Sequence, residues 1–235
     1  MSDDLGGEVV VVTGAAGNLG RAVAAAFRQS GARLALLDAD EAALASAHGG
    51  GERTLLLKAD ALDPASMAAA ADRVVREFGR VDVLCNLVGG FRMGHPVHET
   101  PHDVWRLMVE LNAGSVIAAA GAFVPHMLAA GRGRVVSVAA AAALRGAAGM
   151  GPYSAAKGAV VRLTESMAAE LGGRGINVNC VMPGTMDTPQ NRAAMPDADP
   201  RGWVTTDEVA DVILFLSSRA GRAVHGAAIP VPGRG

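Results

Sequence analysis

Short runs of β-branched and leucine residues alternate along this chain with longer, alanine-rich stretches of helical period. The runs Val9–Thr13, Arg33–Asp38, Thr54–Asp60, Val81–Leu87, Gly133–Val138, Asn177–Met182 and Ala227–Pro230 predict strands. Between them, Leu19–Gln29, Glu41–Ala47, Pro64–Phe78, Pro101–Ala130, Tyr153–Leu171 and Thr206–Ser217 predict helices. This rhythm is how a parallel sheet with crossover helices reads in sequence. The expected fold is therefore α/β: a Rossmann-type, doubly wound parallel sheet of about seven strands with helices on both faces. No internal repeat and no linker divides the chain, so a single domain over residues 1–235 is expected. The stretch Pro183 to Val204 is rich in Pro, Asp and Met, has no period, and is expected to be a long mobile segment covering the active site.

Composition narrows the classes of function. The chain has 235 residues, half of them hydrophobic, and a formal charge of −2 scattered without any basic run, which argues against a nucleic-acid partner. Cys85 and Cys180 lie far apart in apolar runs and suit reduced, buried thiols, hence a cytoplasmic setting. Residues Met1 to Glu8 are acidic and glycine-rich, unlike a secretory or transit peptide. Ala113 to Gly131 is uncharged and nearly long enough for a membrane span, but its alanine, glycine, Pro125 and His126 point to a buried or interface helix. No membrane partner is expected. His95, His98 and His102 are close in sequence, yet Pro96 and Pro101 interrupt any shared face and no cysteine or paired carboxylate completes a metal site. The loop Phe91 to His102 instead follows a predicted strand end, where Phe91, Arg92 and Met93 either touch substrate or remain solvated.

Candidate chemistry begins at Gly14-Ala15-Ala16-Gly17-Asn18-Leu19-Gly20, a glycine-rich turn between a strand and a helix. Glycines permit backbone to approach a pyrophosphate, and the helix N-terminus supplies free N–H groups. The next strand ends in Asp38, whose carboxylate suits the adenosine ribose hydroxyls and repels a 2′-phosphate, so NAD (NADH) is favoured over NADP. Asp60 either meets the adenine edge or caps an ordinary turn. Tyr153 and Lys157 stand four apart, on one helical face. No Gly-x-Ser-x-Gly elbow offers a serine nucleophile.

Taken in order, Thr13-Gly14, Asp38, Asp60, Asn86-Leu87-Val88-Gly89, Asn112, Tyr153-Ser154-Ala155-Ala156-Lys157 and Pro183-Gly184 resemble the short-chain dehydrogenase/reductase family over essentially the whole chain. The resemblance implies that Gly14, Gly17, Asn18 and Leu19 contact the pyrophosphate, Asp38 the adenosine ribose, and Asp60 and Ala61 the adenine. It implies that Asn86 and Gly89 shape the floor of the cofactor cleft, while Pro183, Gly184, Thr185 and Thr188 close over the nicotinamide. Lys157 would bind the nicotinamide ribose and lower the pKa of Tyr153, the general acid/base, and Asn112 would hold a water in the proton relay. Family members usually assemble as homodimers or homotetramers, here through Pro101–Ala130 and Tyr153–Leu171.

The sequence departs from the family pattern at four places. Asn18 replaces the usual middle glycine, Leu87 and Val88 replace asparagine and alanine, and Ala61 replaces valine. Thirteen residues before Tyr153, where most of the family has a serine that hydrogen-bonds the substrate oxygen, stands Ala140 within a polyalanine run. Quinoid dihydropteridine reductases resemble this arrangement, with alanine for the serine, a counterpart of Gly149-Met150-Gly151-Pro152-Tyr153, and a segment similar to Asp187 to Asp199. The resemblance implies hydride transfer to a small organic substrate, either an electron-poor quinonoid dihydropterin-like ring or a simple carbonyl or alcohol compound. Phe91, Ala140, Asn191 and Arg192 are the candidate substrate contacts. A protein that binds NAD(H) as a sensor, its catalysis impaired by Ala140, is the alternative of another class.

Overall fold

In the computed structural model, which describes residues 5–234, the valines of β1 (Val9–Thr13) are all buried and alternate between two separate cores. Val10 and Val12 enter one, Val9 and Val11 the other. Strand geometry turns successive side chains to opposite faces, so a strand covered on both sides must be apolar at every position. The same division holds in β2 (Arg33–Asp38), where Leu34 and Leu36 face one core and Ala35 and Leu37 the other. The remaining strands are β3 (Thr54–Lys58), β4 (Val83–Asn86), β5 (Gly133–Val138), β6 (Ile176–Pro183), the two-residue β7 (Met186–Asp187) and β8 (Val204–Thr205), and β9 (Ala228–Val231).

The main sheet runs β3-β2-β1-β4-β5-β6-β9, parallel throughout. This is the doubly wound architecture expected. Its helices are α1 (Asn18–Gln29), α2 (Glu41–His48), α3 (Pro64–Phe78), α4 (His102–Val109), α5 (Ser115–Ala130), α6 (Gly151–Leu171), the short α7 (Pro189–Ala194) and α8 (Thr206–Ser217). Phe27 of α1 and Ile213 of α8 fill the first core; Met67 of α3 and Phe123 and Met127 of α5 fill the second. Local chemistry starts several of these helices. Asp40 caps α2, Asp63 caps α3 ahead of Pro64, and Thr205 and Glu208 form a reciprocal capping box on α8.

The predicted elements appear in place, with differences that have physical causes. The expected helix Pro101–Ala130 is divided by a π turn, Glu110–Gly114, in which the Asn112 amide donates to the Met108 carbonyl at 2.9 Å and to the Gly90 carbonyl at 3.0 Å. A π turn takes one extra residue and resets the helix face, which here keeps a polar side chain on the buried side. β3 stops before Asp60, because that carboxylate accepts from Leu62 N at 2.8 Å and turns the chain. The stretch expected to be irregular, Pro183 to Val204, contains α7 and the small parallel pair β7–β8. By composition His102–Ala130 is long and apolar enough to cross a membrane. In the fold it is interrupted by the π turn, and Ala119, Phe123, Val124 and Met127 of α5 are buried against the sheet, as in the core helix of a folded domain.

At the amino ends of the strands, Asp82 forms a buried ionic knot. Its carboxylate accepts from Val9 N at 2.9 Å, from Arg80 Nε at 2.7 Å and from Arg132 Nη2 at 2.7 Å. The knot ties β1 to the entries of β4 and β5, far from the carboxyl ends. Asp82→Ala leaves a buried backbone donor unpaired, and since both guanidinium groups keep water the expected loss is about 2–3 kcal/mol. Urea unfolding reads this loss; an unchanged midpoint would show that the knot contributes nothing.

Candidate active site

The crossovers leave β1 and its neighbour β4 in different directions, so their carboxyl ends open a crevice, the usual ligand position in such sheets. A groove of about 390 Å³ occupies it, lined by Thr13, Gly14, Gly17, Asp38, Asp60 and Gly89 among others. Gly14 has φ +66°, and a Cβ there would lie 3.2 Å from Val88 N, so backbone touches backbone where the two strands diverge. Gly20 packs against the Gly14 carbonyl and the Ala15 backbone, which seats α1 on the turn. Gly17 caps α1 with no side-chain hydrogen bond, and the first turn carries no acid, leaving N–H groups for an anion.

Asp38 does more than end a strand. Its carboxylate accepts from Ala16 N at 2.9 Å and Asp40 N at 3.1 Å, fastening the glycine turn to β2 while remaining on the groove wall. Asp60 also lines the groove while capping its own turn, and Ala61 lies beside it, buried. Leu19 is buried beneath the turn. Asn86 stands below the groove rather than on its wall. It donates to Ser137 Oγ at 3.2 Å, its Oδ1 is buried without a partner, and Ser137 is thereby occupied inside β5.

Next to the groove, α6 brings Tyr153 and Lys157 into one corner. The Lys157 amine is 6.0 Å from the centre of the Tyr153 ring and donates to the Val138 carbonyl at 2.9 Å. Burial pushes the Lys157 pKa down to about 8, with Cys180 acting weakly in the opposite sense. Burial likewise raises the Tyr153 phenol above its ordinary value. The lowering expected from Lys157 does not appear: burial is the cause of the shift, and the amine, 6.0 Å from the ring centre, is held by the Val138 carbonyl. Asn112 closes the corner, accepting from Gly90 N at 3.2 Å and donating back to its carbonyl. Gly89 makes room for both polar groups: a Cβ would lie 2.8 Å from Asn112 Oδ1 and 3.0 Å from Lys157 Nζ. Ala140 is buried and extended, and presents only a methyl group at the position where the family resemblance implies a serine hydroxyl.

The segment after β6 folds over the other side. Gly184 N donates to the Val231 carbonyl at 3.0 Å, and the Thr185 carbonyl accepts from Val204 N at 3.0 Å. Thr188, buried, caps α7 and accepts from Asn191 N at 3.2 Å. The two polar residues expected to reach substrate are occupied within this flap. Asn191 donates to the Met186 carbonyl at 2.8 Å, and Arg192 makes a bidentate pair with Asp187 at 2.6 and 2.8 Å. Gln190, unremarked in the sequence, reaches the glycine turn instead and accepts from Asn18 Nδ2 at 2.6 Å. Only the fold joins these positions. Phe91 sets its ring edge-on to Tyr153, with centroids 4.8 Å apart.

Other features stay outside this corner. Cys85 and Cys180 are free and buried, their thiols pushed up by burial. Among the described residues no three His, Cys, Asp or Glu side chains converge as metal ligands, and His98 meets only Glu99. A second groove, of about 510 Å³, lies between α3 and α5 and is lined mainly by Leu62, Pro64, Ala68, Ile117 and Gly121. It is apolar apart from Glu110 and contains none of the candidate groups.

Residues 8–199 match the family model described as short chain dehydrogenase. The chain is 36% identical to the cis-4-hydroxycyclohexanecarboxylate dehydrogenase of Sinomonas cyclohexanicum, over 99% of this chain and 98% of that one. It is 36% identical to the D-threitol dehydrogenase of Mycolicibacterium smegmatis, over 97% and 93% of the two chains. Among solved structures, NAD+-bound xylitol dehydrogenase superimposes with a TM-score of 0.90 at 27% identity, covering 97% of this chain and 98% of that one.

Gly89→Ala should disturb the corner directly, since its methyl group would press on Asn112 and Lys157. The expected loss is about 1–3 kcal/mol. Gly50→Ala, where a Cβ meets nothing within 4 Å, is the control and should change stability by less than about 0.5 kcal/mol. Equal unfolding midpoints for the two variants would refute the packing argument.

Proposed function

The chain belongs to the short chain dehydrogenase family of oxidoreductases, and from that premise we propose that it interconverts a small secondary alcohol and its ketone with NAD(H), Tyr153 carrying the proton. The observation that carries this reading is the convergence of Tyr153 and Lys157 on one corner beside the groove. The groove suits a dinucleotide. A close-approach glycine and an uncapped helix start stand at one end, and at the other Gly89 keeps side-chain bulk out of the cleft. Gly14, Gly17, Asn18 and Leu19 would hold the pyrophosphate, and Asp38 the adenosine ribose. Asp60 and Ala61 would flank the adenine, with Gly89, Pro183, Gly184, Thr185 and Thr188 around the nicotinamide. Asp38 favours NAD over NADP by repelling a 2′-phosphate.

When bound, the nicotinamide supplies or takes up the hydride. Tyr153 then gives its proton to the carbonyl oxygen in reduction and recovers one from the alcohol in oxidation. Lys157 holds a positive charge near the phenol and, through Val138, the end of β5. Asn112 keeps the π turn and the Gly90 backbone in register, and we assign it the water of the proton route. Assembly through α5 and α6 into a dimer or tetramer, and a cytoplasmic location, belong to the same proposal. The exposed Ile117 of α5 and the two free thiols agree with them.

Ala140 favours a second reading, the quinonoid dihydropterin, because an electron-poor ring needs less help from a hydroxyl donor. The relatives named above are alcohol dehydrogenases, so the carbonyl reading leads. Losing one oxyanion donor costs about a hundredfold in rate. Ala140→Ser should therefore raise ketone reduction by roughly tenfold or more, and Tyr153→Phe should abolish it while cofactor titration stays unchanged. Turnover of quinonoid dihydropterin with NADH, combined with no gain from the serine, would reverse the order of the two readings.

The pH dependence follows from Lys157. It is charged below about 8 and neutral above, whereas Tyr153 keeps its proton over that range because its own value is raised. Ketone reduction should therefore decline as pH rises through about 8. Lys157→Arg, whose charge does not titrate there, should move the decline to higher pH; a profile identical to that of the parent would assign the limb to another group.

A further inference from the structure

Two loops border the open side of Tyr153: one follows β4, the other follows β5. Gly94 N donates to the Gly149 carbonyl at 2.9 Å, and Val97 packs against Gly151, so the loops form one continuous rim. The rim presents large apolar side chains to solvent beside the exposed Arg92, His95, His98 and Arg145. Phe91 is 53% exposed, Met93 58% and Leu144 67%, although the Phe91 ring already rests edge-on against Tyr153 at 86°. In the loop after β5, Ala140–Ala143 bring no polar side chain. From the flap, Met195 is also exposed, whereas the polar side chains of Gln190, Asn191 and Arg192 are bound to Asn18, Met186 and Asp187.

A polyhydroxylated substrate entering this corner loses water and finds the nearest flap side chains already bonded, an unfavourable exchange. A hydrocarbon ring covers Phe91, Met93 and Leu144 from water, a favourable one. Resting on the reading of the site as an alcohol dehydrogenase, the geometry points to an apolar shelf that selects substrates whose reacting carbon belongs to a saturated hydrocarbon ring, over sugar-like polyols. Phe91 is its specificity-determining residue: it touches both the Tyr153 ring and the space a substrate ring occupies. In reduction the carbonyl carbon takes the hydride that the bound nicotinamide supplies, the C=O π pair goes to oxygen, and that oxygen takes the Tyr153 proton, which solvent replaces; oxidation is the reverse, with Tyr153 starting as the phenolate.

The test compares NADH-dependent reduction of cyclohexanone and 4-methylcyclohexanone with that of the polyol ketone erythrulose. The ring ketones should have the higher kcat/KM by about tenfold or more. Phe91→Ala should lower it about tenfold more for ring ketones than for erythrulose, chiefly through KM, and be largely rescued by Phe91→Leu. Binding of cyclohexanecarboxamide, which is not reduced, to the NADH-loaded protein provides a readout independent of turnover, and Phe91→Ala should weaken it in parallel. A preference for erythrulose, or an equal fall for all ketones in Phe91→Ala, would overturn the shelf, the latter showing that Phe91 only steadies Tyr153. If no ketone is reduced although cofactor binds, the alcohol dehydrogenase reading fails. The carboxamide then decides the shelf alone: loss of binding in Phe91→Ala upholds it, and unchanged or undetectable binding rejects it.

Discussion

An amine buried at the carboxyl end of β5 constrains everything around it. Lys157 has a protein hydrogen bond to the Val138 carbonyl, and its surroundings disfavour the charge it is asked to carry. A buried ammonium needs acceptors and space, and three separate segments provide them. β5 ends so that the Val138 carbonyl is free, the β4 loop has glycine at 89, and the π turn holds the Asn112 amide beside that glycine. Charge at this point is conditional, which makes the corner suited to holding a proton near a phenol and to releasing it.

The sheet makes that corner possible by being rigid at its other end. Asp82 gathers Arg80, Arg132 and the β1 backbone at the amino ends of the strands, and the two apolar cores clamp the strands from both faces. The carboxyl ends are left to diverge, and small residues occupy the points of closest approach. The ionic knot and the candidate site thus lie at opposite ends of the same strands, an arrangement that lets loops after β4, β5 and β6 vary without disturbing the core.

The flap shows how polar residues near a site need not serve it. Asp187 and Arg192 pair with each other, Asn191 caps the preceding turn, and Gln190 reaches the start of α1. These bonds give a short segment a defined shape and tie it to the glycine turn. Their side effect is that Gln190, Asn191 and Arg192 are already bonded within the fold, while Phe91, Met93 and Leu144 stay exposed on the neighbouring loops.

The amino-acid sequence by itself determined the alternation of strands and helices, the glycine turn, the acid closing β2, and the pairing of Tyr153 with Lys157. All of these are local, readable from period, spacing and the chemistry of neighbouring residues. The division of the helix near Asn112, the order within Pro183 to Val204, and the internal bonds of Asn191 and Arg192 were decided by tertiary contacts. So was the direction of the Tyr153 pKa, because burial depends on what the folded chain places over a side chain. The Asn18–Gln190 bond spans 172 positions, and Gly89 acquires its meaning only once Asn112 and Lys157 arrive beside it. Periodicity specifies which face of an element is buried; which distant groups meet there is a property of the closed sheet.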